Sequence, residues 1–258
     1  MSLVNVEVND RIGIVTLDRP EALNAISGAM ADAVTAALHR VGSDPDIWCV
    51  VLTGAGEKAF CVGADLKERA SFEIEDFHAN RRQVRGMFQA LRDTPQPVVA
   101  ATFGFTLGGG FELALSCDLM VAAQGASFGL PEATVGLLPA GGGTQLLTRK
   151  LGTSRAKELI FTGRRMDAAE ASELGLVARL AAEGGALAGA TDLALDICRS
   201  SPVAVREAKR CVDQALGVPL AEGIELEHDS WTRVIATQDR SEGIEAFNAK
   251  RVPEWQNR

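Results

Sequence analysis

The chain has 258 residues, 47% of them hydrophobic and 23% charged, which suits one large domain or one domain with an appendage. A formal net charge of −8 argues against nucleic acid as a general partner, and no apolar stretch is long enough to span a membrane. The five cysteines are scattered without a CxxC pair, and no secretory signal opens the sequence. These features predict reduced thiols in a cytoplasmic protein.

The first third of the chain predicts a hairpin, a helix and a strand. Residues 3–8 alternate apolar and polar, and the mostly apolar residues 12–17 follow a polar turn, as in a β-hairpin. Ser27 is placed as the N-cap of a helix with an apolar face, and residues 48–53 read as a strand. The small residues of 60–67 form a turn that could donate backbone N–H groups. A long helix is then expected over 74–92, with an inner side made of Phe77, Val84, Met87, Phe88 and Leu91.

The stretch 97–143 carries the strongest chemical signal. Apolar runs at 98–103 and 118–123 predict buried strands, and a short apolar helix is expected at 111–115. Glu112 lies inside that helix, and Glu132 follows twenty positions later. Because glutamate is rarely buried unless it is paired or functional, both carboxylates are candidate functional groups.

The glycine triplet 108–110 precedes that helix and invites a specific interpretation. The first N–H groups of a helix have no partner within the helix, and its N-terminus favours negative charge. Glycine also lets a ligand approach the backbone closely. The turn could therefore stabilise charge that develops on a thioester or similar carbonyl oxygen. A tight strand-to-helix turn without a ligand is the alternative interpretation.

The last part of the chain is predicted to be mainly helical. Glycines separate short helices expected at 144–151, 155–161 and 168–174, and a last strand is expected at 176–180. Asp239 and Glu242 are a candidate capping pair for the final helix. A boundary near 183–185 divides a core, 1–185, from an all-helical region, 186–258. Helices in that region are expected at 187–198, 203–216, 220–235 and 244–249.

Several other sites are disfavoured. The sequence GASFG at 125–129 fits the serine-hydrolase motif, but Pro131 follows where a helix should begin. The triplet lacks the third glycine of a dinucleotide-binding loop, and the three histidines lack metal-ligand spacing. Cys61 is more typical of a small core residue than of a nucleophile. No metal is therefore expected.

Five motifs, in the same order, resemble those of the crotonase, or enoyl-CoA hydratase/isomerase, superfamily over nearly the full length. They are DRPEALNA at 18–25, FCVGADL at 60–66, GGGFELA at 108–114, FGLPE at 128–132 and GLLPAGGGT at 136–144. The resemblance implies an α/β fold: a crotonase-like spiral of ββα units with a C-terminal all-helical trimerisation region. It also implies a homotrimer or a homohexamer built as a dimer of trimers.

The resemblance assigns roles to individual residues. Backbone N–H groups of Ala64 and Gly109 would form the oxyanion hole, and Glu112 and Glu132 would be the catalytic pair. Coenzyme A, as part of an acyl-CoA thioester substrate and not as a separate cofactor, would bind a set of residues from both ends of the chain. That set is Ala22, Leu23, Val62, Ala64, Lys67, Phe247 and Lys250.

Both glutamates being present favours an enoyl-CoA hydratase, which adds water to a trans-2-enoyl-CoA. Phe111, Val62 and Ala140 depart from the commonest hydratase pattern, and the ending KRVPEW at 250–255 also resembles carnitinyl-CoA dehydratases. Carnitinyl-CoA dehydratase and enoyl-CoA isomerase are therefore alternatives. A non-catalytic CoA-binding protein is an alternative of a different class.

Overall fold

A computed structural model describes residues 2–258 as ten strands and eleven α-helices. The strands are β1 Val4–Asn9, β2 Ile12–Leu17, β3 Cys49–Gly54, β4 Ala59–Cys61, β5 Val98–Thr102, β6 Phe105–Leu107, β7 Leu119–Ala123, β8 Ser127–Gly129, β9 Met166–Asp167 and β10 Arg179–Ala181. The helices are α1 Gly28–Ser43, α2 Leu66–Arg69, α3 Ile74–Arg92, α4 Gly109–Ser116, α5 Gly143–Leu151, α6 Thr153–Thr162, α7 Ala168–Glu173, α8 Ala186–Cys198, α9 Pro202–Gln214, α10 Leu220–Ile235 and α11 Gln238–Ala249. Two 3-10 helices, Pro20–Ala22 and Pro131–Val135, complete the fold.

The strands form two sheets that the chain visits alternately. The larger has the order β1-β2-β3-β5-β7-β10 and is parallel except for the opening hairpin, and the smaller has the order β4-β6-β8-β9. After the hairpin, β3, β5 and β7 each enter the large sheet, and the next strand enters the small one. A helical segment follows each pair. This repetition is the predicted spiral of ββα units.

Local signals located the long elements well. Ser27 caps α1 by accepting a hydrogen bond from the Met30 N–H at 3.1 Å, and α3 has the predicted bounds. The hairpin pairs Asn9 with Ile12 across a turn in which Asp10 has φ 53°. These elements depend on periodicity and capping, which neighbouring residues encode.

Two local predictions need correction, and one sheet was not predicted at all. The small sheet was missed because its strands have only two or three residues, too few to show a period. Phe77 is 37% exposed and contacts Phe72 edge-on instead of joining the inner side of α3. The last helix starts earlier than predicted and is capped by Thr237, while the buried Asp239 accepts a hydrogen bond from Ser201.

The large sheet is buried on both faces. A first core cluster includes side chains of α1, α3 and α4, and a second contains residues of β3, β5 and β7 with four residues of α8. Those four are Ala186, Ala190, Leu193 and Ala194. The first helix after the predicted boundary is thus part of the core packing of the sheet. The division at 185/186 and the oligomerisation role of 186–258 stay predictions.

The helices beyond α8 carry apolar side chains on their surface. Val212 is 71% exposed, Leu220 81% and Phe247 84%. In residues 2–258, no helix combines the length and apolar character that crossing a membrane requires.

Candidate active site

Two loops meet at the amino end of α4. A Cβ placed on Gly63 would lie 2.8 Å from the Gly109 nitrogen, and one on Gly109 would lie 3.8 Å from the Ala64 nitrogen. Gly109 opens α4, so its N–H has no partner within the helix. Ile26 and Ala64 form a parallel β-bridge, in which the Ile26 N–H donates to the Gly63 carbonyl and the Asp65 N–H donates to the Ile26 carbonyl. The Ala64 N–H takes no part in these two hydrogen bonds. The two amides predicted as a pair therefore lie close together.

The glycines of this turn are required by its geometry. Gly108 has φ +53°, in the left-handed region that favours glycine. A Cβ on Gly110 would collide with the carbonyl oxygen of Cys61. The triplet thus lets the start of α4 pack directly against the end of β4.

Glu112 lies in the first turn of α4 and is only 3% exposed. One carboxylate oxygen, Oε1, accepts hydrogen bonds from the Gly141 and Gly143 N–H groups, both at 2.7 Å. Burial raises the pKa of the carboxyl, and the N–H groups of Gly143 and Gly141 offset part of that rise. The second glycine triplet is therefore a binding site for the Glu112 carboxylate.

Glu132 lies in the 3-10 helix Pro131–Val135 and has a different environment. Its Oε2 is buried and has no hydrogen-bond partner within residues 2–258. Burial, assisted by the charge of Glu112, raises the pKa of Glu132 to about 7. Near neutral pH, this carboxyl is thus able to hold or release a proton, a property typical of catalytic acids and bases.

A cavity of about 330 Å³ joins these features. Five of the predicted site residues line it: Val62, Ala64, Gly109, Glu112 and Glu132. The cavity is also lined by Ile26, Leu66, Arg69, Arg81, Val84, Phe88, Gly108, Pro131, Thr134, Val135, Leu137, Leu138, Ala140 and Gly141. Two carboxylates and two backbone amides thus face one largely apolar space, as small-molecule sites require.

Two further predicted residues lie beside the cavity wall. The Val62 N–H donates to the Leu23 carbonyl at 3.2 Å, which places the Ala22–Leu23 segment next to the β4 loop. Sequence reasoning missed the residue that holds this segment, Asn24. Its buried side-chain amide donates to the carbonyls of Ala55, Ala59 and Phe60 at 3.0–3.1 Å.

The other predicted CoA contacts lie outside the cavity lining. Lys67 is exposed on α2. Phe247 lines a separate groove with Trp255 near the carboxyl end of the chain, and Lys250 is exposed where α11 ends. The structure of one chain does not bring these three side chains to the carboxylates, and their roles stay predictions.

Sequence reasoning placed Val84 and Phe88 on the inner side of α3 but did not predict that this helix contributes a wall of the cavity. Arg81, Val84 and Phe88 line the cavity from one side of that helix. Arg81 precedes Val84 by three residues, and this helical spacing is the signal that could have added it to the same face. Arg69, at the end of α2, joins them and lies two residues after the predicted 60–67 turn.

The disfavoured sites gain no support from the fold. Burial raises the pKa of the Cys61 thiol to about 12, so the sulfur is a poor nucleophile. Ser127 lies in β8, and no helix starts directly after Gly129 except the short 3-10 turn from Pro131. No group of three potential metal-ligating side chains occurs between residues 2 and 258.

The raised pKa of Glu132 has a consequence for stability. Because the folded protein binds this proton more tightly than the unfolded chain, stability is lost as pH rises from about 4.5 to about 7. We expect Glu132→Gln to be more stable than the wild type at pH 8, by at most about 3 kcal/mol, since Glu132 is partly exposed. The difference should shrink at pH 5, and thermal unfolding at both pH values measures it. A difference that is equal at the two pH values would contradict the assignment.

The chain belongs to the enoyl-CoA hydratase/isomerase family, whose model matches residues 7–258. It is similar to probable enoyl-CoA hydratase echA8 of Mycobacterium tuberculosis, with 43% identity over 98% of this chain and 97% of that protein. It is also similar to the mouse enoyl-CoA hydratase domain-containing protein 2, mitochondrial, with 41% identity over 96% of this chain and 85% of that protein.

Solved structures agree with this assignment. The crystal structure of an enoyl-CoA hydratase from Bacillus anthracis matches with a TM-score of 0.97 and 40% identity, covering 99% of this chain and all of that one. The crystal structure of an enoyl-CoA hydratase from Mycobacterium tuberculosis matches with a TM-score of 0.92 and 35% identity, covering 100% of both chains. The crotonase fold predicted from the motifs is thus confirmed.

Proposed function

We propose that this protein is an enoyl-CoA hydratase that adds water reversibly, with syn geometry, to a trans-2-enoyl-CoA to give a 3-hydroxyacyl-CoA. The observation that carries the proposal is the pair of carboxyls in one cavity, Glu112 with two N–H donors and Glu132 with none on its buried oxygen. Hydration needs one carboxylate to accept a proton and one carboxylic acid to donate one. The two environments favour that division of labour.

In the proposed reaction, the thioester oxygen accepts hydrogen bonds from the Ala64 and Gly109 N–H groups. Glu112, whose Oε1 accepts hydrogen bonds from the Gly141 and Gly143 N–H groups, takes a proton from water as the water oxygen bonds to C3 of the substrate. The electron pair of the double bond moves to C2 and the carbonyl oxygen, where the two N–H groups stabilise the negative charge. Glu132 then delivers its proton to C2. The substrate gains one hydrogen at C2 and one hydroxyl group at C3. A proton then passes from Glu112 to Glu132, which restores the starting protonation of both carboxyls.

The pH dependence follows from these roles. Hydration requires Glu132 to be protonated, so we expect kcat/KM to fall about tenfold per pH unit above about 7. On the acid side, kcat/KM should fall where Glu112 becomes protonated. Because the two carboxyls interact, the acid and alkaline sides of the pH profile report apparent pKa values that belong to the pair. A kcat/KM that rises between pH 7 and 9 would contradict the assignment of Glu132 as the acid.

Coenzyme A binding and assembly belong to the same proposal. We place the CoA moiety along Ala22, Leu23 and Val62, with Lys67, Phe247 and Lys250 as further contacts. The exposed apolar side chains of α9–α11 support a homotrimer or a dimer of trimers, since such surfaces usually mark an interface. Sedimentation at micromolar concentration measures the assembly, and a monomer would argue against it. A cytoplasmic location stays a prediction.

An assay with crotonyl-CoA tests the function. Hydration removes the conjugated enoyl thioester and its absorbance, whereas a non-catalytic CoA-binding protein leaves both unchanged. A 3-enoyl-CoA tests for isomerase activity, and a carnitinyl-CoA tests for the dehydratase alternative. The proposal fails if crotonyl-CoA is not consumed while one of the other substrates is.

A further inference from the structure

The cavity that holds Glu112 and Glu132 is also lined by two arginines that the hydration chemistry does not require. Arg69, the last residue of α2, is half-buried in the cavity wall, and Arg81 reaches the same cavity from α3. Neither forms a salt bridge with a carboxylate of residues 2–258, although acidic residues outnumber basic ones by 34 to 26. Arg19, in contrast, contacts Asp65 at 2.6 Å.

Arg69 is the more unusual of the two. Its Nη2 donates to the Asn80 side-chain oxygen at 3.0 Å, and its Nε is buried without a partner among the described residues. Burial lowers the pKa of the guanidinium, which nevertheless stays charged near neutral pH. A half-buried cation without a counterion is costly, so a site that keeps one gains from an anion that arrives with the ligand.

The carboxylate nearest in sequence, Glu68, offsets part of the effect of burial on Arg69 but forms no salt bridge with it among the described residues. Glu68 directs both carboxylate oxygens to the Gly28 N–H, at 3.1 and 3.3 Å. The Nη2 group of Arg81 donates a hydrogen bond to the Ala140 carbonyl at 2.6 Å, and a carbonyl carries no net charge. The charge of Arg81 lowers the pKa of Glu112 in part, but the hydrogen bonds of that carboxylate go to Gly141 and Gly143 and not to an arginine. Two guanidinium groups therefore line the cavity with capacity for an anion.

We propose that the cavity takes an acyl-CoA whose acyl chain bears a second carboxylate, and that Arg69, assisted by Arg81, binds that carboxylate. The proposal rests on the proposed function, because it assumes that the thioester end lies at Ala64 and Gly109. Arginine suits the role, since its planar fork matches a carboxylate with two parallel hydrogen bonds. A phosphate of coenzyme A is the other possible source of the anion, and the experiment separates the two.

The wild-type protein provides the first test, through binding of saturated thioesters that undergo no hydration. Isothermal titration compares butyryl-CoA, glutaryl-CoA and the terminal amide of glutaryl-CoA. We expect glutaryl-CoA to bind about tenfold more tightly than its uncharged amide, as charge-assisted hydrogen bonds are stronger than neutral ones. Equal affinity for the acid and the amide would overturn the proposal without any variant.

Variants locate the effect. Arg69→Met should reduce the acid-to-amide preference to about one, while Arg69→Lys should retain part of it. Arg82→Met is the matched control, because Arg82 is exposed on the same helix as Arg81 and does not line the cavity. The control removes the same charge and should keep the full preference. If Arg69→Met weakens all three thioesters by one common factor, the arginine contacts a CoA phosphate and the proposal is wrong.

The outcome is distinguishable from failure of the hydratase assignment. Binding preference is measured without turnover, so it stands or falls independently of the chemistry. Hydration of crotonyl-CoA together with equal binding of acid and amide would support the hydratase proposal and contradict the carboxylate site at Arg69. Preferred binding of the acid with no hydration of any enoyl-CoA would support the carboxylate site and contradict the hydratase proposal.

Discussion

Glu112→Gln and Glu132→Gln should each lower kcat for crotonyl-CoA hydration by about 10² to 10⁴. Glutamine keeps the size of the side chain but can neither accept the proton from water nor deliver one to C2. In Glu112→Gln, the Gly141 and Gly143 N–H groups can still donate to the amide oxygen, so the loop should keep its place. Stopped-flow or steady-state absorbance measures the loss, and titration with butyryl-CoA checks that binding is retained.

The double variant gives the sharper result. Because both carboxyls act in one event, Glu112→Gln combined with Glu132→Gln should lower the rate by much less than the product of the two single effects.

Glu173→Gln is the matched control, since Glu173 is exposed on α7 and does not line the cavity, and this variant should hydrate at the wild-type rate. If Glu132→Gln abolishes hydration while proton exchange on the acyl chain persists, the isomerase alternative gains support. Wild-type rates in both single variants would end the two-glutamate mechanism.

Gly109→Pro should reduce kcat by about 10² to 10³, corresponding to about 3 to 4 kcal/mol of transition-state stabilisation. Proline removes the N–H that we assign to the oxyanion hole, and the first position of a helix is where proline is tolerated best. Gly109 opens α4, so the helix should survive the substitution. A folded Gly109→Pro protein with near-normal turnover would exclude this amide from the reaction.

Gly109→Ala provides the matched control, because alanine keeps the N–H. Its Cβ would lie 3.3 Å from the Ile26 Cδ1 atom and 3.5 Å from the Gly63 Cα atom, so only a small adjustment is needed. We expect a modest loss of activity, well below that of the proline variant. Circular dichroism and sedimentation of both variants show whether fold and assembly are kept.

The sequence by itself determined the elements whose signals come from neighbouring residues. The helix over 74–92, the opening hairpin and the Ser27 cap all depend on residues within a few positions of each other. The five ordered motifs determined the family and nominated both glutamates. The short strands of the small sheet were missed, because two or three residues carry no period and their pairing partners lie far along the chain.

The tertiary structure alone decided how the site is built. Glu112 meets its N–H donors 29 and 31 positions away, and Gly109 approaches Ala64 across two separate loops. The raised pKa of Glu132 and the lowered pKa of Arg69 arise mainly from burial in the shared cavity. Burial depends on how distant segments pack, whereas a periodic pattern reports only which face of one segment turns inward.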